Sequence, residues 1–351
     1  MNKLNSMIAI AFLAVTFTAC KKDAEEPIVV VPPSDGSTLT LNGIVGAEAG
    51  SAAGNSVYVD FSADKQTAVE RDSWDLGFYS GADFKVILNS TNGASALVIN
   101  KTDLNTVTTA DFDPNALKVG QGQGNFTIVD DGREANILNK TAIAAISATD
   151  AENKVYIINR KGGAATVLAN DELYKIRVIR KGTTGYTLQY AKVTETTFKT
   201  LDVTKNADAN FQFTSLVKGT AVTVEPAKAS WDIVWTYSMY WTATFPYAFS
   251  DLVFINSLGG TSAAAVAVTD TKTYTSFSEA DIASATFSTS RDLIGAGWRS
   301  TQPATGANAK IFYIIKDASG NYYKLKFVSM GAGDAGTRGK PVIEYKLIKK
   351  G

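Results

Sequence analysis

The 351-residue chain contains no histidine and a single cysteine, Cys20. Without imidazole there is no histidine general base and no histidine metal or haem ligand. With one thiol there is neither an intramolecular disulfide nor a thiolate cluster. Two Trp-Asp pairs, Trp74-Asp75 and Trp231-Asp232, supply carboxylates, each following a serine and preceding Leu76 or Ile233. That recurrence reads as a fold role, with the indole in the core and the carboxylate bonding a neighbouring turn. No two carboxylates stand out as an acid–base couple, so an enzyme is the least favoured class. Arg291, Trp298 and Arg299 lie near one another; an arginine beside an aromatic could hold a carboxylate, or the group could be surface ion pairs around one core indole. Basic and acidic residues balance at 34 each, which argues against a nucleic-acid partner recruited by bulk charge.

Three motifs lose to plainer readings. Gly331-Ala332-Gly333-Asp334-Ala335-Gly336 has the letters of a dinucleotide fingerprint, but Pro341 and the β-rich Val342-Ile343-Glu344-Tyr345 follow where a helix should start. It reads as a glycine-rich hairpin loop. Gly120-Gln121-Gly122-Gln123-Gly124 reads as a flexible loop. Asn206-Ala207-Asp208-Ala209-Asn210 lacks the central glycine and closing glutamate of a calcium loop and reads as a linker.

The start of the chain is an address. Lys3 precedes an apolar run from Met7 to Phe17, too short to span a bilayer and long enough for a signal peptide. Phe17-Thr18-Ala19-Cys20 resembles the bacterial lipobox, with Phe17 in place of the usual leucine. Residues 1–19 are therefore expected to be removed and Cys20 to be lipidated; several acyl chains on one residue give stable anchoring. The charged run Lys21–Glu26 reads either as a surface-export signal, which it resembles in Bacteroidetes lipoproteins, or as a solvated tether. Proline and then Ser/Gly complete a spacer, so that 20–38 forms the lipidated tether.

The rest reads as strand. Lys175-Ile176-Arg177-Val178-Ile179-Arg180 and Lys324-Leu325-Lys326-Phe327-Val328 alternate polar and apolar, as half-buried strands do. Val57–Phe61, Ala221–Val224 and Ile311–Ile315 are rich in β-branched and aromatic residues. Asp317-Ala318-Ser319-Gly320-Asn321 predicts a hairpin turn, with Lys161-Gly162-Gly163 as its counterpart. Ser278–Ala283 opens with a capping residue and predicts a short helix. The class is all-β and mostly antiparallel.

The segments also repeat. Ser73-Trp74-Asp75-Leu76 and Tyr156-Ile157-Ile158 recur at one offset as Ser230-Trp231-Asp232-Ile233 and Tyr313-Ile314-Ile315. Asn89-Ser90 with Gly93 and Ser95 recurs as Asn256-Ser257 with Gly260 and Ser262. Leu173–Arg177 matches Tyr322–Lys326, Leu188-Gln189-Tyr190 matches Ile343-Glu344-Tyr345, and Phe61-Ser62 matches Phe213-Thr214. Matches in one order point to two diverged β-rich units in tandem, 39–200 and 201–351. The second unit is longer between its Trp-Asp pair and Asn256. The extra segment, Trp235–Phe249, is crowded with aromatics and contains Met239. Surface inserts of that composition mark ligand or partner sites; the alternative is that the segment extends the core or covers the other unit.

Phe213-Thr214, Trp231-Asp232-Ile233, Ile294-Gly295-Ala296-Gly297-Trp298-Arg299, Phe312–Asp317, Tyr323–Phe327 and Ile343-Glu344-Tyr345 together resemble the HmuY family of Bacteroidetes haem-binding lipoproteins. The second unit matches over about 210–348 and the first more loosely. The resemblance implies an all-β, lipid-anchored outer-membrane protein, surface-exposed or shed, that captures haem for an outer-membrane receptor. Founding members hold the iron with two histidines and relatives use methionine, whereas Ser300-Thr301-Gln302-Pro303 offers neither. For haem in this chain the implied ligands are Met239 and Met330, with Tyr240 or Tyr247 as oxygen donors, and the ring stacks on Trp241 and Phe245. Arg299 would meet a propionate. The expectation is a non-enzymatic protein that binds haem or a similar apolar ligand. The alternative is a glycan- or protein-binding adhesin that uses the aromatic segment as its platform.

Overall fold

A computed structural model describes residues 32–351, of which Pro33–Gly351 form one compact body. The signal peptide, Cys20 and the charged run after it lie outside the described residues. Every strand pairing in the body is antiparallel. Helical segments among the described residues are short 3-10 turns. The longest, Glu279–Ser284, is the short helix expected, with Ser278 and Asp281 forming its capping box.

Two β-sandwiches stand back to back. In the first, the sheet Lys199–Thr204, Gly185–Lys192, Tyr174–Lys181, Val155–Asn159 and Ser95–Ile99 packs on the sheet Thr220–Val222, Phe211–Ser215, Leu76–Tyr79 and Val86–Leu88. Leu76, Phe78, Leu88, Ile158, Ile176, Tyr186 and Leu188 fill the space between them. In the second, Gly36–Thr40, Val342–Lys349, Tyr322–Ser329, Ile311–Lys316 and Ser262–Ala267 pack on Phe245–Ile255, Ile233–Thr242, Asn55–Asp60 and Lys65–Glu70. Val57, Val59, Ile233, Trp235, Tyr313, Leu325, Ile343 and Tyr345 form that core. The alternation read from the sequence thus sets one face of each strand inward.

The strands do not sort by position in the chain. The hairpin Asn55–Asp60/Lys65–Glu70 pairs with Ile233–Thr242, while Phe211–Ser215/Thr220–Val222 pairs with Leu76–Tyr79. Likewise Gly36–Thr40 closes the sheet edged by Val342–Lys349. The stretches 39–200 and 201–351 therefore exchange hairpins, and each four-stranded sheet is built from both.

Two expectations change in detail. Lys175 and Lys324, predicted to face solvent, are buried. The Lys175 ammonium donates to the carbonyls of Val107 and Glu195, and that of Lys324 to Thr275 and Phe277. Loops roof the second face of each five-stranded sheet over Leu104, Val107 and Leu117 in one case and Phe277 in the other, and a buried ammonium persists because carbonyls solvate it. Secondly, hydrogen bonding sets Phe61 opposite Leu216 in role, not Phe213: the Asp232 carboxylate accepts from Phe61 N–H, and that of Asp75 from Leu216 N–H.

Candidate ligand-binding site

The two four-stranded sheets face each other across the middle of the molecule, and the Trp-Asp pairs sit where they meet. Each aspartate turns inward to its hydrogen bond, so its neighbouring tryptophan, on the alternate face, turns into the space between the sandwiches. Trp231 meets Tyr58 edge to face at 5.0 Å and Trp74 meets Phe213 at 4.8 Å. Asn89 donates to the Trp74 carbonyl at 2.7 Å and Asn256 to that of Trp231 at 2.8 Å, which fixes the backbone under each ring.

Between these rings lies a cavity of about 110 Å³ that opens to solvent at its mouth. The enclosed space is smaller than the roughly 300–1,000 Å³ of typical small-ligand sites. Tyr58, Trp74, Phe211, Phe213, Trp231 and Phe254 supply its aromatic wall, and Ile87, Ile137, Val234 and Leu258 add aliphatic surface. Half of the lining residues are polar: Asp130, Asn136, Asn210, Glu225, Asn256 and Arg291 join six serines and threonines. Asn210 donates to Asn256 at 2.9 Å. Asp130 accepts from the amides of Leu88 at 2.7 Å and Ala142 at 3.0 Å, yet burial pushes its carboxyl up to about 7 against those bonds and the pull of Arg291. Burial likewise raises Glu225 to about 8, opposed by Asn210 and Arg291. The Arg291 guanidinium lies over the Phe254 ring at 4.0 Å. Two of the lining residues carry a buried atom with no hydrogen-bond partner: Trp231 Nε1 and Glu225 Oε2. A buried donor left so costs about 1–3 kcal/mol.

The extra segment forms a long hairpin, Ile233–Thr242 with Phe245–Ile255, with a register shift between Thr236 and Ser238 and a tip at Ala243. Its residues go to several places. Met239 is buried against Val119, Phe126, Ile128 and Val129 of the other half of the chain. Tyr240 packs on Trp241, Phe249 and Phe254 and donates its hydroxyl to Asp292 at 2.8 Å. Tyr247 meets Phe249 edge to face, and Phe245 is half-buried beside the tip. Trp241 alone among these rings is exposed, at 36%. Met330 is wholly buried in the core of the second sandwich. Arg299 donates to the Ser250 carbonyl at 2.6 Å, and Trp298 is stacked on Phe327 in the same core as Met330. The structure thus separates Met239 from Met330 and Arg291 from Arg299, and of the candidate ligand-binding residues weighed in the sequence it brings Arg291, but not Met239, Tyr240, Trp241, Phe245, Tyr247, Arg299 or Met330, to the cavity. Asp130, Asn136 and Glu225 escaped sequence reasoning because no spacing signal marks them, and Asn210, read there as part of a linker, joins them only through the fold.

A match to the family model described as HmuY protein spans residues 52–345. The chain belongs to the HmuY family. No curated protein and no solved structure matches it. Among the described residues no cluster of three histidine, cysteine or acidic side chains could hold a metal. Neither methionine lines the cavity. Tyr58 does, but burial, reinforced by Glu225, holds its hydroxyl protonated far above the ordinary tyrosine range. Axial ligation of iron does not fit this cavity. Among the described residues no helix is long and apolar enough to cross a membrane.

Proposed function

We propose that this HmuY-family chain is a non-enzymatic lipoprotein, anchored in the outer membrane through lipid on Cys20, that captures haem or a similar apolar planar ligand for transfer to an outer-membrane receptor. The observation that carries the reading is the cavity between the facing four-stranded sheets, walled by six aromatic rings. Its two sides are related elements, Trp74-Asp75 and Trp231-Asp232 in like hydrogen bonds, which supports descent of 39–200 and 201–351 from one duplicated unit. Hydrophobic and ring contacts, rather than iron ligation, would supply the affinity.

Titration of the purified protein with haem tests this. Tryptophan fluorescence is expected to quench in a saturable way at micromolar haem as Trp74 and Trp231 are covered. Unchanged fluorescence and an unchanged haem spectrum would favour the second reading, a glycan- or protein-binding surface. Exposed Trp241 at the hairpin tip supports that reading, and retention on glycans lost in Trp241→Ala would establish it.

A further inference from the structure

We propose that Arg291 is the anchor for the anionic end of the ligand, so that the cavity selects planar aromatic carboxylates over neutral rings of the same shape. The proposal rests on the ligand-capture reading of this cavity and adds the ligand's chemical class. Three observations support it. Arg291 makes no side-chain hydrogen bond or ion pair among the described residues; the arginine ion pairs there belong to Arg133, Arg160 and Arg338. Its guanidinium is held in place all the same, stacked on Phe254 at 4.0 Å, with its backbone N–H donating to the Ala135 carbonyl at 2.9 Å. It lines a cavity that also holds the unpartnered donor Trp231 Nε1, on a residue only 7% exposed.

The acidic groups facing Arg291 do not satisfy it. Asp292 is engaged by the hydroxyls of Tyr240 and Ser290. Asp130 and Glu225 approach it from two other parts of the chain, and burial disfavours the charged form of both. A buried guanidinium whose N–H groups make no hydrogen bond can receive a carboxylate through two parallel hydrogen bonds. The rings on either side then accept a flat apolar body.

Iron-free protoporphyrin IX, which carries carboxylates, and its dimethyl ester, which does not, separate charge from shape in the native protein. The free acid is expected to bind at least about tenfold more tightly than the ester, with the difference shrinking as salt rises. Arg291→Gln should bring the two affinities together and Arg291→Lys restore part of the gap, with circular dichroism showing that each variant folds. Equal binding of acid and ester by the native protein would overturn the anchoring role and leave the capture reading standing. Binding of neither would overturn both.

Discussion

Asp232 Oδ2 accepts the Phe61 amide at 2.8 Å across 171 residues of chain, and so ties the N-terminal hairpin to the second half of the molecule. Asp75 does the same for Leu216 at 2.7 Å across 141 residues. The two bonds hold the exchanged hairpins in their sheets and, by fixing each Asp inward, aim Trp74 and Trp231 into the cavity.

Loss of either carboxylate leaves a buried amide without a partner. Asp232→Ala and Asp75→Ala are each expected to lose about 1–3 kcal/mol in urea unfolding. Asparagine at the same positions keeps an acceptor oxygen and should cost less. An Asp232→Ala chain as stable as the parent would show that the bond does not hold the hairpin.

Stability should fall as pH rises toward the alkaline side. Burial raises Asp232 to about 8, with Asp60 and Asp317 adding to the rise against the Phe61 bond, and raises Asp130 to about 7 and Glu225 to about 8. Unfolded carboxyls titrate near ~4, so the folded chain binds more protons between these limits. The stabilisation is complete below the unfolded value and is lost as pH climbs through 7 to 8. The urea midpoint is expected to drop between pH 6 and pH 8.5, and Asp232→Asn should flatten the drop. A rising midpoint over that interval contradicts it.

Met239 fills a gap between the long hairpin and the Val119–Val129 loop. Met239→Ala should therefore cost about 2–5 kcal/mol of stability. The absorption spectrum of added haem should be the same in variant and parent, because the thioether is not aimed at the cavity. A variant-specific change in the haem band would restore the thioether as a ligand.

Gly36–Thr40 completes the sheet edge along Val342–Lys349, and Leu41 just beyond it is wholly buried in the second core. A chain starting at Asn42 is expected to lose about 3 kcal/mol or more and to expose a bare strand edge that promotes association. Size-exclusion chromatography and urea unfolding of the shortened chain read both effects. A monomer of undiminished stability would show that this strand is dispensable.

Local pattern carried much of the fold. Alternation in Lys175–Arg180 and Lys324–Val328 placed real strands, Asp317–Asn321 is a hairpin turn in which Asp317 accepts the amides of Ser319 and Asn321, and Ser278 caps a short helix. The class follows because period-two burial and turn chemistry are properties of neighbouring residues. The candidate site was less legible. Arg291 was visible as an arginine near aromatics, but its expected company, Arg299 and Trp298, points into a different core. The aromatic hairpin drew attention by composition, yet much of it packs on its own chain.

By itself, then, the sequence determined which stretches are strands, that the chemistry excludes imidazole and thiolate metal sites in the body, and that short segments such as Ser-Trp-Asp recur along the chain. Tertiary structure alone decided which strands pair and what the cavity contains. Pairing partners such as Asn55–Asp60 with Ile233–Thr242, and lining residues such as Asp130, Glu225 and Arg291, are far apart in the chain. Strand patterns specify which face is buried but not against whom, so that choice is made only when whole sheets compete to bury those faces.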